Sequence, residues 1–504
     1  MPPSNSERKS LIHCNCWTSF ISGLFGAAGV ALVVFSSPEL AGVDAYYHIQ
    51  FARIIRVEGI LDSFPWAQET LFQTRFSDKE FLFHLLLVPF AGSNPILGAK
   101  LAVCLLVGFI FFTFHSLLRS LKFRFTGFWT LLLYCSGPIF LYRMAMPRPH
   151  LVSLLILLAA TYALMDGKRK LFAALAFVYP LSYSAPHLII VLVILFNVGL
   201  LLSREEADWK PLRFAAAGLF VGLLLHPNFP DNLYLWYVQT VLAPFHAWGL
   251  IGIELHQGIE LRPTTGKDII LKMTGPTLAG VLCILGYLYR GMRPGRQSWI
   301  FLVICSFFLG LSLLSIRFIE YFIPFTLLFS ASAATELIEL EQCREWFVRN
   351  RFACSAVTVL LLFLVTGLGL QSVLVAQGYL AEDSDTSLAE AARWLDQNVE
   401  PGETVFHTDW GDFPELFFHA PGQRYLVGLD PVFMYVHSPA VFQLWEEISE
   451  GKRADFPDLI RERFRARHIL LRKPRRANLD RLLRHLPTAK LVYNNSSFSI
   501  YKLL

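Results

Sequence analysis

The sequence predicts a polytopic α-helical membrane protein carrying a soluble α/β domain at its C-terminal end. Three observations predict it. Of the 504 residues, 54% are hydrophobic and 16% charged, where a soluble chain carries roughly 25% charged residues, and the mean hydropathy is +0.47. Apolar runs of near-span length recur up to residue 376. Beyond residue 378 the charges return and the apolar runs shorten. The net charge of +5 is small and spread over short loops, a pattern of membrane topology that speaks against a nucleic-acid partner. The chain has no P-loop and no zinc-type cysteine spacing.

A membrane helix needs roughly 20 apolar residues. By that measure candidate spans centre on 17–35, 96–118, 126–142, 150–165, 171–184, 187–203, 213–226, 270–289, 298–314, 318–336 and 353–376, about 11 transmembrane helices in all. The first follows Arg8 and Lys9 and lacks a small-residue cleavage site, so it is expected to stay as an anchor. Alternate loops are basic: Arg119, Lys122 and Arg124; Lys168, Arg169 and Lys170; Arg204, Lys210 and Arg213; Arg290, Arg293 and Arg296; Arg344, Arg349 and Arg351. A cytoplasmic N-terminus puts all of these inside. The expected location is a bacterial inner (plasma) membrane, with the C-terminal domain outside.

The stretches 46–57 and 80–91 are too short to span and are expected as helices lying on the outer surface. The expected outer segments are then 36–95, 143–149, 184–186, 227–268, 315–317 and the tail. Residues 1–378 form the membrane domain and 379–504 the soluble one. In the tail, strand-like runs at 404–407, 425–429, 468–472, 490–493 and 497–502 alternate with helix-like runs at 388–397 and 479–485. None of the eight cysteines falls in the last 150 residues, so an external tail folds without disulfides.

Acids, histidines and arginines gather on the outer side. Asp44, at the outer end of the first span, reads as a general base or metal ligand, or as an interfacial cap. Asp78 and Glu80 flank a helix start, where acids favour the macrodipole. Arg143, Arg148 and His150 form a basic cluster against the usual charge bias, suited to a phosphate. His187 and His226 stand at helix ends as structural groups, and the long loop carries Glu254, His256, Glu260 and Arg262. Arg317 either aims at an interfacial phosphate or pairs with Glu320 three residues on. Asp409, Trp410 and Asp412 stand at a strand-to-helix junction, as a binding edge or as simple turn chemistry.

The assembled pattern resembles the GT-C superfamily of membrane glycosyltransferases, most of all the branch of the oligosaccharyltransferase catalytic subunits. The run Asp44-Ala45-Tyr46-Tyr47-His48 is similar to that branch's motif after the first span. The resemblance implies a catalytic Asp44, as base or metal ligand, with His48 in the same run. Arg317, Phe318 and Tyr321 match an Arg-Phe-x-x-Tyr motif whose arginine binds the phosphate of a polyprenyl-linked donor. Asp409-Trp410-Gly411-Asp412 is a loose counterpart of the acceptor-binding Trp-Trp-Asp-Tyr-Gly signature, and Glu260 of a long-loop glutamate. The pattern's two metal-binding acids of the second outer loop are replaced by Arg148-Pro149-His150, and the Trp-Trp pair is lacking. Those departures favour lipid-linked sugar transfer over protein N-glycosylation.

The expected activity is inverting transfer of a sugar from a polyprenyl-phosphate donor to a glycan, lipid or protein acceptor on the non-cytoplasmic face. The alternatives are a carrier or flippase for a lipid-linked saccharide and a non-catalytic polysaccharide assembly factor. Asp44, His150 and Glu260 could hold a Mg or Mn ion. Arg148 can neutralise phosphate in its place, and metal-independent transfer with Asp44 as base is the expectation.

Overall fold

The computed structural model describes residues 5–252, 255, 258, 260, 263–338, 349–382, 385–473 and 475–504, without the side chains of 5–16, 270, 271 and 353. Glu254, His256, Arg262 and Arg344 therefore lie outside the described residues. The chain divides into two compact units: Met1–Ala41, Lys100–Gly222 and Glu260–Ala381, and Gly42–Ala99, Leu223–Ile259 and Glu382–Leu504.

The first unit is helical. Among the described residues five helices are long and apolar enough to cross a membrane, or six if Pro138–Ala145 and His150–Met165 count as one broken span. The chain is thus a multi-pass membrane protein, but the expected 11 transmembrane helices are not found. Helices Thr126–Tyr134, Arg169–Ser182, Leu188–Leu202, Lys210–Leu224 and Thr274–Arg290 have 9, 14, 15, 15 and 17 residues, short of the roughly 20 that a bilayer needs. Hydropathy over 126–142 averages across a break. Gly137 has φ 143, a conformation closed to residues with a Cβ, and a Cβ there would stand 1.8 Å from the Lys272 carbonyl oxygen. Pro138 then opens a new helix.

The second unit is built on a five-stranded sheet: β1 (Thr404–His407), β2 (Arg424–Tyr425), β3 (Ala466–Arg472), β4 (Ala489–Asn494) and β5 (Phe498–Leu503), ordered β2-β1-β3-β5-β4. β2, β1 and β3 run parallel, while β5 pairs antiparallel with β3 and β4. Strand β2 stops at Tyr425, short of the expected 425–429, since only Arg424 and Tyr425 pair with β1; the chain turns further on, at Leu429 with φ 67. The sheet does not end with the tail. Tyr425 N–H donates to the Trp66 carbonyl at 2.8 Å and its carbonyl accepts from Gln68 N–H at 2.7 Å, so residues 66–68 extend the β2 edge.

Helix Asp44–Glu58 forms where it is expected, yet its apolar side faces protein. Residues Ala45 to Ala52, with Ile54 and Ile55, are buried, leaving Arg53 and Arg56 on the exposed face. Tyr47 packs on Phe417 at 5.9 Å between ring centroids and Tyr46 on Phe418 at 5.3 Å. Phe51 and Phe64 are 1% exposed, and burying each contributes roughly 2–3 kcal/mol. Helices Pro431–His437 and Pro439–Ser449 were not expected. Both start on capping residues, Asp430 and Ser438, followed by proline.

Candidate functional site

In the first unit, two prolines shape the charged cluster. Met146 is extended ahead of Pro147 and ends helix Pro138–Ala145; Pro149 then leads into His150–Met165 across a bend of 106°. The bend gathers Arg143, Arg148 and His150. The Arg143 Nε and Nη2 donate to Glu320 Oε2 at 2.8 and 2.7 Å. Its Nη1 donates to Glu260 Oε1 at 3.2 Å, an oxygen that Arg148 also engages. Arg317 Nη2 stands 3.5 Å from Glu260 Oε2, and Ser315 Oγ donates to the Glu260 carbonyl at 2.6 Å. The short connection 315–317 therefore grips Glu260 by backbone and side chain together.

Burial is graded across this cluster. Side-chain exposure is 1% for Glu320 and 6% for Arg143, but 16% for Arg148, 24% for Glu260 and 32% for Arg317. Arg143–Glu320 is an internal pair, and Arg148 and Arg317 are the accessible cations. Burial opposes ionisation of Glu260, yet Arg148, Arg143 and Arg317 outweigh it and hold its carboxyl well below the usual range. Three guanidiniums against two carboxylates leave one net positive charge. Glu320 pairs with Arg143 and not with Arg317, which settles the partner that sequence spacing left open. The Tyr321 hydroxyl is buried and bonded to Ser153 Oγ at 2.7 Å, in contact with the helix core.

His150 does not act as a metal ligand here: its Nε2 donates to the Arg143 carbonyl at 2.9 Å. Glu260 sits among three cations, which repel a divalent ion. Among the described residues no group of three or more His, Cys, Asp or Glu is placed to hold a metal. His150 and Glu260 thus offer a poor donor set for the Mg or Mn ion that stood as the alternative to metal-independent transfer.

In the second unit, Asp44 opens helix Asp44–Glu58 half-buried, and His48 lies one turn on along the same face. His48 Nδ1 is 2.8 Å from His84 Nε2, and His84 Nδ1 is 2.7 Å from Asp78 Oδ1. Asp78 is fixed in turn: its N–H donates to Asn228 Oδ1 at 3.0 Å, and its carbonyl accepts from His226 Nε2 at 3.0 Å. His226 is thus a satisfied structural group, as expected. Asp78 and His84 were not expected as partners of His48; their sequence signal is a histidine that interrupts the apolar run 81–87, six residues after an acid.

At the sheet edge, Asp409 caps the turn after β1, accepting from Gly411 N–H at 3.1 Å, and pairs with Arg475. Trp410 is half-buried beside it. Asp412 is fully buried and pairs with Arg472. Burial pushes Asp412 up to about 6 despite Arg472, and burial pushes His407 down to about 4.

The fold has known counterparts. The oligosaccharyltransferase of Archaeoglobus fulgidus superposes with TM-score 0.65 at 13% identity, over 90% of this chain and 69% of that one. The same archaeal enzyme has been solved with an inhibitory peptide and a dolichol-phosphate. ArnT from Cupriavidus metallidurans, solved bound to undecaprenyl phosphate, gives TM-score 0.57 at 15% identity over 96% and 97% of the two chains. The mycobacterial arabinofuranosyltransferase AftD gives 0.55 at 15% identity, over 95% of this chain and 39% of that one. No family model and no curated protein matches the sequence. The chain shares its fold with these solved membrane enzymes.

Proposed function

We propose that this chain is a membrane glycosyltransferase that moves a sugar from a polyprenyl-phosphate donor to an acceptor on the non-cytoplasmic face, with inversion and without a metal ion. The observation that carries the reading is the arginine cluster, with Arg148 and Arg317 accessible and one positive charge in excess. Its chemistry suits a lipid phosphate, and two of the similar structures hold polyprenyl phosphates. In this reading Arg317 and Arg148 neutralise the phosphate as it leaves, which lowers the barrier without a metal. Arg143 is a positioning residue, holding Glu320 and Glu260. Asp44 takes the proton of the acceptor hydroxyl as that oxygen attacks the anomeric carbon. Asp409 and Trp410 offer an edge for the acceptor.

The test is transfer by the purified full chain from a panel of labelled polyprenyl-phosphate sugars, in chelator. Asp44→Asn is expected to lower turnover by about 10³-fold with an unchanged thermal midpoint. Near wild-type turnover in that variant overturns the role of Asp44. Loss of activity in chelator, restored by Mn, overturns metal independence.

A second reading has its own observation. The broken span with charged groups at its break is also a device of carriers. Movement of lipid-linked sugar across vesicles, with no new glycosidic bond, supports that reading over transfer.

A further inference from the structure

We propose that His48, His84 and Asp78 form a proton relay that draws the acceptor's proton away from Asp44. The inference rests on the reading of Asp44 as base. The relay has a direction that its geometry sets. Asp78 Oδ1 can only accept while ionised, so His84 donates through Nδ1–H and its Nε2 carries a lone pair. That lone pair accepts from His48 Nδ1–H, which makes Nε2 the proton-accepting nitrogen of His48. The two imidazoles thus point the same way, from the helix face that carries Asp44 toward a carboxylate.

The wires are insulated. His48, His84 and Asp78 are 5%, 0% and 5% exposed. Phe51 and Phe83 wall them, with ring centroids 4.6 Å from His84 and 5.2 Å from His48 respectively. The charged and titratable neighbours are Tyr47, packed 5.7 Å from His84, the Lys79–Glu80 pair, and His226 on the Asp78 carbonyl. Burial and the charges of Asp78, Glu80 and Asp44 hold the Tyr47 hydroxyl well above its ordinary value, so it stays protonated throughout. Asp78 Oδ2 is buried without a hydrogen-bond partner among the described residues.

The step balances. The acceptor oxygen bonds to the anomeric carbon as the bond from that carbon to the phosphate oxygen breaks, and the lipid phosphate leaves with the electron pair. The hydroxyl proton goes to Asp44 and from there to His48 Nε2. The Nδ1 proton of His48 moves to His84 Nε2, and the Nδ1 proton of His84 moves to Asp78. Asp44 is ionised again, and both rings end in the opposite tautomer. After the product leaves, the hops reverse: Asp78 returns its proton to His84 Nδ1, the Nε2 proton of His84 returns to His48 Nδ1, and the Nε2 proton of His48 leaves by way of half-buried Asp44 to solvent, which restores both resting tautomers.

The experiment uses full-length protein in lipid nanodiscs. Nitrogen-15 histidine spectra report the tautomers without any turnover: His48 and His84 are expected protonated on Nδ1 at rest, their hydrogen-bonded N–H signals disappearing in Asp78→Asn. Resting Nε2–H tautomers overturn the relay. In kinetics, His84→Gln and Asp78→Asn are expected to lower kcat about 10- to 100-fold and leave the KM for the lipid donor unchanged. Asp78→Glu is expected to restore part of the loss. Transfer with kcat unchanged in the folded variants, judged by thermal midpoint, overturns the relay alone. No transfer by the wild type from any donor instead overturns the proposed function.

Discussion

Around Glu260 three arginines share two carboxylates, whereas at the sheet edge Asp409 and Asp412 each hold an arginine of their own. The arginine that completes the edge, Arg476, donates to the Thr408 carbonyl at 2.7 Å. The first arrangement crowds like charges about a shared acceptor and keeps Arg317 a third exposed. The second leaves Arg475 mostly in water, 64% exposed, and buries only the acids. Crowded cations are stable when an anion joins them, and one-to-one pairs need no further partner. The contrast separates a cluster with a cation in excess, which we propose binds a phosphate, from one whose charges are paired one to one, and it can be broken at four points.

Arg143→Gln is expected to cost most. It leaves Glu320 buried at 1% exposure without its cation, a loss of about 3–5 kcal/mol, to be read from chemical unfolding of the detergent-solubilised chain. A loss below about 1 kcal/mol means the pair is not the internal anchor described above.

The next effect is in pH and belongs to the sheet edge. Asp412 is raised to about 6 in the folded state, so the folded chain takes up its proton first and acidification from about pH 6 to about 4 adds stability. His407 is lowered to about 4, so the unfolded chain takes up its proton first and acidification from about pH 6.5 to about 4 removes stability. Each effect amounts to roughly 3 kcal/mol, and in the wild type they oppose each other. Asp412→Asn is expected to unmask the loss and His407→Gln the gain. Trp445, whose Nε1 donates to the His407 carbonyl at 2.9 Å, is the fluorescence probe. Parallel pH curves for the two variants refute the compensation.

Smaller again is the expected weakening of polyprenyl phosphate binding in Arg317→Ala or Arg148→Ala, about 10- to 100-fold by titration, which is about 1.4–2.8 kcal/mol. Folding stability should stay within about 1 kcal/mol of wild type. Equal binding in wild type and variants removes the distinction between the two clusters. Arg475→Ala should do least, below about 0.5 kcal/mol, because an exposed pair is screened by solvent; a larger thermal shift would place Asp409 among the stabilising groups.

Much of the local structure was legible. β1, β3, β4 and β5 and the helices at Asp44, Ser387 and Ala477 form where alternation and periodicity place them. Asp44 and His48 are found on one helix face, and Arg143, Arg148 and Arg317 in one cluster. The count of spans was not legible, because a hydropathy window averages across Gly137 while the backbone turns there. The surroundings of His150 and Glu260, a carbonyl and three guanidiniums, were not legible either, because those partners come from other elements of the chain.

What the sequence by itself determined is what depends on near neighbours: apolar character, the strand alternation of the tail, the capped helix starts, and the Pro147–Pro149 break that sets Arg148 between two helices. Tertiary structure alone decided the partners. Arg143 meets Glu320 across 177 residues, His48 meets His84 across 36, and Trp66 meets the Pro421 carbonyl across 355. Periodicity reports the face a residue occupies, since that follows from its own helix or strand. It carries no mark of the distant group that packing and charge will bring against that face.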